Sequence, residues 1–173
     1  MGKIQLVAPS MEYEEQIREY RNEFLANSDS MDGTSFLREY EDIQDWLDFI
    51  ERNTREETVT EGLVPATEFL AVRVSDNKLV GMIDIRHTLN DFLLKFGGHI
   101  GYSVRRSEWN QGYAKEMLKQ ALFFTQKLGL EKVLVTCNKT NIASAKVIQA
   151  NGGLLENELL EDGEPVQRYW IDL

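Results

Sequence analysis

The feature that most constrains the fold is a strand that leads through a glycine-bearing turn into a long amphipathic helix. The strand covers residues 97–104, the polar turn covers residues 105–112, and the helix runs from Tyr113 to Leu128. At such a junction the first backbone N–H groups of the helix have no internal acceptor, and the helix dipole adds partial positive charge. The turn is therefore suited to hold a phosphate, which makes a phosphorylated cofactor the first hypothesis.

A second strand and helix follow directly. The apolar residues 132–137 predict a buried strand, and residues 138–141 lead into a capped helix that a glycine pair, Gly152 and Gly153, closes. Two terminal strands, residues 154–159 and 166–171, flank a turn. The C-terminal half of the chain is therefore predicted to have the order strand, helix, strand, helix and two terminal strands.

The N-terminal half begins with a short strand at residues 4–7 and continues with two helices, at about residues 11–26 and 36–53. A polar loop at residues 27–34 separates the helices. Two further strands, residues 69–74 and 79–87, are joined by a hairpin signal. This order predicts one domain over residues 1–173, with a mixed sheet and helices on both faces.

Composition narrows the class of protein. The net charge of −10 disfavours extended contact with nucleic acid or an anionic membrane and favours a cationic partner such as an amine. The acidic excess lies in residues 12–68, where most of it is expected to be solvated helix surface. The chain shows no signal peptide or membrane-spanning stretch, so we expect a cytoplasmic location. The single cysteine, Cys137, is expected to be a buried apolar residue, and with only two histidines no metal site is expected.

The turn before the long helix resembles the cofactor-binding motif of the GNAT superfamily of N-acetyltransferases. The family pattern is Gln/Arg-x-x-Gly-x-Gly/Ala after a strand that ends in Val, and here Gly112, Ala114 and Val104 match it. Trp109 stands where the family usually has Gln or Arg. The second helix is similar to the family's next element, with Asn141, Ser144 and Gly152 in register.

The resemblance implies the GNAT acyl-CoA N-acyltransferase fold, an α/β (α+β) fold with a mixed, mostly antiparallel central sheet flanked by helices. It also implies acetyl-CoA as cosubstrate. The residues that it assigns to the cofactor are Val104, Trp109, Asn110, Gln111, Gly112, Tyr113, Ala114, Asn141 and Ser144.

Acetyl transfer to an amine needs a base, stabilisation of a developing oxyanion and a proton for the leaving thiolate. We consider His99 first as the base, because its ordinary pKa near 6.5 suits proton removal at neutral pH. His87, Asp84, Glu68 and a water chain are the alternatives. Gly98 or Gly101 either permits a local bulge in the strand beside the thioester of the bound cosubstrate, or only relieves steric crowding around the strand.

The family's usual proton donor is a Tyr on the second helix, but counting from Asn141 puts Ile148 at that position. The proton then comes from water or from another group, with Tyr102, Tyr113 and Tyr169 as candidates.

Two functions follow. The first is an N-acetyltransferase that moves the acetyl group of acetyl-CoA by direct attack of a small-molecule or peptide amine held between the N-terminal helices and the sheet. The alternative is a non-catalytic acyl-CoA-binding sensor or scaffold, suggested by Ile148 and Trp109 at positions where the family supplies polar groups. A homodimer is expected on general grounds, because symmetric dimers are the commonest oligomers.

Overall fold

The computed structural model describes residues 2–173, which form seven strands and four α-helices. In chain order they are β1 (Ile4–Val7), α1 (Glu14–Asn27), α2 (Ile43–Arg52), β2 (Ala66–Arg73), β3 (Leu79–Arg86), β4 (Ile100–Val104), α3 (Tyr113–Lys127), β5 (Lys132–Asn138), α4 (Ile142–Ala150), β6 (Leu154–Glu161) and β7 (Glu164–Asp172). Short 3-10 turns occupy residues 11–13, 37–39 and 106–108, and a π-helical turn occupies residues 93–97.

The strands form two antiparallel sheets. The first has the order β1-β2-β3-β4 and the second the order β5-β7-β6. The predicted hairpin between β2 and β3 forms with Phe69 opposite Ile83, and β6 turns into β7 with Glu161 opposite Glu164. The predicted class, an α/β fold with a mostly antiparallel sheet flanked by helices, is confirmed, but the one mixed sheet of the prediction is divided in two between β4 and β5, and every pairing within the two sheets is antiparallel over residues 2–173.

Helices α1 and α2 cover one face of the four-stranded sheet. Tyr20 and Phe24 of α1 and Trp46 of α2 pack with Leu70 of β2 and Met82 of β3 in one buried cluster. Burying a large apolar side chain contributes about 1.5–3 kcal/mol, so this cluster is enough to hold both helices on the sheet.

Helices α3 and α4 cover the opposite face. Met117 and Leu118 of α3 pack with Ile85 of β3, Val133 of β5 and Ile148 of α4 in a second buried cluster. Because this cluster spans both sheets, it fixes the start of α3 relative to β4 and β5.

Two predicted boundaries were wrong. The second helix starts at Ile43 and not near residue 36, because Ser35 and Phe36 adopt left-handed backbone angles (φ 49° and 64°) and Asp42 caps the helix by accepting the Asp45 N–H at 3.2 Å. Strand β4 starts at Ile100 and not at residue 97, since the π-helical turn occupies residues 93–97.

No helix within residues 2–173 is both long and apolar enough to cross a membrane. Over the same residues, no group of three or more His, Cys, Asp or Glu side chains is placed to hold a metal ion.

Candidate active site

The two sheets meet beside the start of β4 and separate from there, which opens a cleft between them. The His99 N–H donates to the Leu134 carbonyl at 2.7 Å, and the Leu134 N–H donates to His99 Nδ1 at 2.9 Å. Gly98 permits this approach, because it has a φ of +68° and a Cβ there would lie 2.6 Å from the Leu134 carbonyl oxygen. The narrow end of the cleft is therefore fixed by backbone contacts.

The cleft has a volume of about 720 Å³ and is walled by β4, β5, the start of α4 and the loop after α1. Most of the residues assigned to the cofactor by resemblance line it: Val104, Trp109, Asn110, Ala114, Asn141 and Ser144. Gln111, Gly112 and Tyr113 belong to the adjoining turn and do not line the cleft wall. The structure thus brings the two sequence motifs together at one cleft.

The turn before α3 presents backbone N–H groups. The Glu116 N–H closes the first turn of the helix by donating to the Gly112 carbonyl at 3.4 Å, so the amides just before it have no acceptor within the helix. Asn110 and Gly112 are both left-handed (φ 61° and 80°), and nothing lies within 4 Å of the position of a Cβ at Gly112. The space beside the turn is open, and its amides are suited to an anion.

Trp109 has a defined role at the end of β4. Its indole Nε1 donates to the Val104 carbonyl at 2.7 Å, and the Arg106 guanidinium lies 5.0 Å from the ring centroid. Arg106 in turn pairs with Asp29 in the loop after α1. Trp109 thus links the end of β4 to the turn before α3, and Arg106 links that turn to the loop after α1.

The Tyr113 side chain is structural. It is buried, and its hydroxyl accepts from Arg73 Nη1 at 3.2 Å, while the same nitrogen donates to Glu108 at 2.8 Å. This network leaves the backbone N–H as the group that Tyr113 can offer to a ligand.

A pair of hydroxyl groups faces the cleft between β4 and α4. The Tyr102 and Ser144 hydroxyl oxygens are 2.7 Å apart, and Asn141 positions Ser144 by capping α4 through a 3.1 Å bond from the Ser144 N–H. Burial raises the pKa of Tyr102 to about 12, so its phenol remains protonated at neutral pH.

The other positions considered for a proton donor do not face the cleft as free hydroxyl groups. Ile148, at the family's usual Tyr position, is fully buried in the core. Tyr169, another candidate donor, instead donates to Gln167 at 2.9 Å.

The surroundings of His99 do not suit a base. The side chain is 5% exposed and lies outside the cleft lining, and burial lowers its pKa to about 4. The neutral ring uses the lone pair of Nδ1 to accept the Leu134 N–H, so its proton is on Nε2 and no lone pair is left to remove a substrate proton. We therefore propose a structural role for His99. His87 is likewise engaged, with Nε2 2.8 Å from the Thr67 hydroxyl.

A second pocket, of about 560 Å³, lies on the α1 and α2 side of the sheet. Its floor contains Glu68 of β2 and Asp84 of β3, and it shares Ser30, Asp32, Gly33 and Arg86 with the cleft. Both acids were predicted from the sequence only as separate candidates for the base. The hairpin register, which places Glu68 directly opposite Asp84, is the signal that could have paired them.

The family model described as acetyltransferase (GNAT) domain matches residues 12–153. A search of curated proteins found no match. Among solved structures, the microcin C7 self-immunity acetyltransferase MccE in complex with acetyl-CoA and AMP is similar at 16% identity and a TM-score of 0.70, over 100% of this chain and 94% of that chain. The ribosomal alpha-N-protein acetyltransferase RimL in complex with coenzyme A gives 15% identity and a TM-score of 0.70, over 100% and 96%. A mutant of the spermidine N-acetyltransferase SpeG from Vibrio cholerae gives 17% identity and a TM-score of 0.66, over 97% and 94%.

Proposed function

The chain belongs to the GNAT family of acetyltransferases, and on this premise we propose that it moves the acetyl group of acetyl-CoA to an amine by direct attack. The observation that carries the proposal is the cleft between the two sheets, which ends at a turn of unpaired backbone N–H groups. Bound there, acetyl-CoA supplies an acetyl group activated as a thioester.

The residues present fit such a ligand. Anion binding falls to the N–H groups at the start of α3, beside Gly112, where a Cβ has open space around it. β4 is the edge strand of its sheet, so it has a side free of strand pairing along which a ligand with amide groups can form backbone hydrogen bonds. The Val104 carbonyl is the exception, because Trp109 already donates to it.

The hydroxyl pair of Tyr102 and Ser144 is the proposed proton source for the leaving thiolate. It lies in the cleft wall, and the raised pKa of Tyr102 keeps the phenol protonated. A thiolate of ordinary pKa near 8.5 needs only modest assistance, which a hydroxyl pair is able to give. The pair supplies the polar group that Ile148 lacks, and this favours catalysis over the binding module.

Two of the neighbours named above are described as acetyltransferases of spermidine and of the alpha-amino group of a ribosomal protein, so an amine is also the proposed acceptor class here. The second pocket is the proposed acceptor site, because it meets the cleft at Arg86 and Gly33.

Thiol release from acetyl-CoA tests the catalytic proposal. The purified protein is incubated with acetyl-CoA and, separately, a polyamine, an arylalkylamine, an amino acid and a short peptide, and the acetylated product is identified by mass. We expect turnover with at least one class. Binding of acetyl-CoA without transfer to any of the four would favour the sensor or scaffold.

A further inference from the structure

The floor of the second pocket contains two acids that lie in register with each other and with a residue of the cleft across neighbouring strands. Glu68 of β2 stands opposite Asp84 of β3, and Asp84 stands opposite Gly101 of β4. Directly opposite positions bring side chains of one face within about 4.5–5.5 Å at Cβ. The two acids, here called the acid pair, therefore lie one and two strands away from the part of β4 that borders the cleft.

Each acid of the pair has an oxygen without a partner. Glu68 and Asp84 are only 5% and 6% exposed, yet Glu68 Oε1 and Asp84 Oδ1 accept no hydrogen bond from any residue among 2–173. Their other oxygens are engaged, since Glu68 Oε2 accepts the Ser35 hydroxyl at 2.8 Å and Asp84 Oδ2 lies 3.0 Å from Arg86 Nε. A buried acceptor left unsatisfied costs about 1–3 kcal/mol, so two of them on residues that stand opposite each other indicate a site for a group that donates several hydrogen bonds.

The charge of the site favours a single cation. Arg86 compensates one carboxylate and leaves the second uncompensated. Burial, together with the charge of Asp84, raises the pKa of Glu68 well above its usual range, and burial also raises the pKa of Asp84. The other charged side chains on the pocket wall are Asp32, Arg38 and Glu39.

One part of the pocket wall and rim is apolar. Phe36 and Phe92 are 55% and 56% exposed, and Leu63 is also exposed there. Phe49 completes the wall, with its ring centroid 5.8 Å from that of Phe36. Exposed aromatic side chains grouped around a pocket are typical of a site for an apolar ligand body.

We propose that the acid pair binds the ammonium group of the acceptor and takes up its proton, and that the acceptor is a monoamine with an apolar, ring-sized body. This inference rests on the proposed acetyl transfer, whose acceptor it specifies. An ammonium group has three N–H donors, enough to satisfy both unpartnered oxygens, and the apolar body then contacts the aromatic rim.

The protons and electrons balance as follows. The bound ammonium group gives one proton to the ionised carboxylate of Glu68, and the nitrogen keeps the electron pair. A bond forms between nitrogen and the acetyl carbon, the carbon–sulfur bond breaks, and sulfur keeps its electron pair. The nitrogen then gives a second proton to solvent, sulfur gains one from the hydroxyl pair of Tyr102 and Ser144, and solvent reprotonates that pair. Glu68 returns its proton to solvent, so one proton is released overall.

Binding of 2-phenylethylammonium to the protein saturated with coenzyme A tests the inference by calorimetry. We expect saturable binding. Glu68→Gln and Asp84→Asn should each weaken binding about tenfold or more, because each removes a charged acceptor. Glu57→Gln, an exposed acid away from both pockets, makes the same change in net charge and should leave binding within about twofold.

Several outcomes would overturn the inference. They are absence of saturable binding, equal binding of uncharged 2-phenylethanol, an unchanged affinity in both acid-pair variants, or tighter binding of spermidine than of 2-phenylethylammonium. Coenzyme A affinity is measured for every variant, so a misfolded variant is recognised by its loss. If the wild type does not bind coenzyme A, the proposed function itself fails, and the two failures are distinguishable.

Discussion

At the scale of single residues, the buried polar groups divide into two kinds. His99 has a backbone partner and holds the two sheets together, whereas Glu68 and Asp84 retain oxygens without partners and face a pocket. A buried polar group with a partner, such as His99, stabilises the fold. Buried oxygens without partners lower stability, and they are expected where a residue is kept for binding. Burial alone therefore does not mark a residue as a candidate for function, whereas burial with an unsatisfied acceptor makes it a candidate.

His99 is predicted to contribute to stability and not to the removal of a proton. Its pKa is lowered to about 4 from 6.5, so its contribution is fully present above pH 6.5 and is lost as the pH falls toward 4. His99→Ala should lower the free energy of unfolding by about 1–3 kcal/mol, because the Leu134 N–H loses its acceptor. Urea unfolding between pH 4 and 8 measures this, and the variant should show a weaker loss of stability below pH 6.5.

Turnover of His99→Ala is the accompanying control. At a temperature where the variant is folded, its kcat should stay within a few-fold of wild type. A fall of a hundredfold or more with intact stability would restore His99 as the base.

Tyr102 is predicted to act on kcat. Tyr102→Phe removes the phenol from the hydroxyl pair and should lower kcat by about a hundredfold, the lower end of the range for general acid catalysis. Ser144→Ala should have a smaller effect, since the phenol remains. Initial rates together with coenzyme A titration check this. A Tyr102→Phe protein with wild-type kcat would contradict the proposed proton source.

At the scale of elements, the existence and order of the strand, turn and helix that end at Lys127 were predictable, because local periodicity and an N-terminal helix signal define them. The limits of α2 and β4 were not, since they depend on left-handed residues such as Phe36 and on the π-helical turn. The partner of His99 is Leu134, 35 residues along the chain, and no local pattern indicates that contact. The acid pair was partly predictable, because the predicted β2–β3 hairpin implies a register in which the two residues stand opposite each other.

Gly98 is predicted to be indispensable to the junction of the sheets. Gly98→Ala places a Cβ 2.6 Å from the Leu134 carbonyl oxygen at a φ of +68°. We expect a loss of about 3 kcal/mol or more, since a backbone clash adds to the cost of a left-handed residue, which is roughly 1–2 kcal/mol. Gly129→Ala is the matched control, with a φ of +85° and no atom within 4 Å. If urea unfolding shows the same loss of unfolding free energy in both variants, the two sheets can move apart at Gly98 at no extra cost, and this prediction is wrong.

At the scale of the whole molecule, the cleft and the second pocket lie side by side. The Gly33 loop rests on β4 between them, since a Cβ at Gly33 would lie 2.2 Å from the Gly101 carbonyl oxygen. Each half of the chain supplies one site: the loop after α1, α2, β2 and β3 form most of the pocket, and the segment from β4 to α4 forms most of the cleft. Two adjacent sites let both substrates be present together, which direct transfer requires.

This arrangement predicts sequential kinetics. Double-reciprocal plots against acetyl-CoA at several amine concentrations should intersect, and no acetylated protein should accumulate in the absence of amine. Cys137, which lines the cleft, is the residue most able to carry an acetyl group, but burial raises the pKa of its thiol and so disfavours the nucleophilic thiolate. Cys137→Ser should retain transfer. Parallel plots with a mass increase of one acetyl group on Cys137 would contradict direct attack.

The central claim, that acetyl-CoA binds in the cleft with its phosphates at the start of α3, is tested most directly by calorimetric titration of acetyl-CoA into three proteins. They are the wild type, Gly112→Asp and Gly163→Asp. Both glycines are left-handed, with φ of +80° and +83°, and neither has an atom within 4 Å of a Cβ position, so the two substitutions impose similar backbone strain. Only the first puts a carboxylate at the phosphate turn. The account predicts one site in the wild type, the same affinity within about twofold in Gly163→Asp, and a loss of about tenfold or more in Gly112→Asp. No binding to the wild type, or equal affinity in all three proteins, would contradict it.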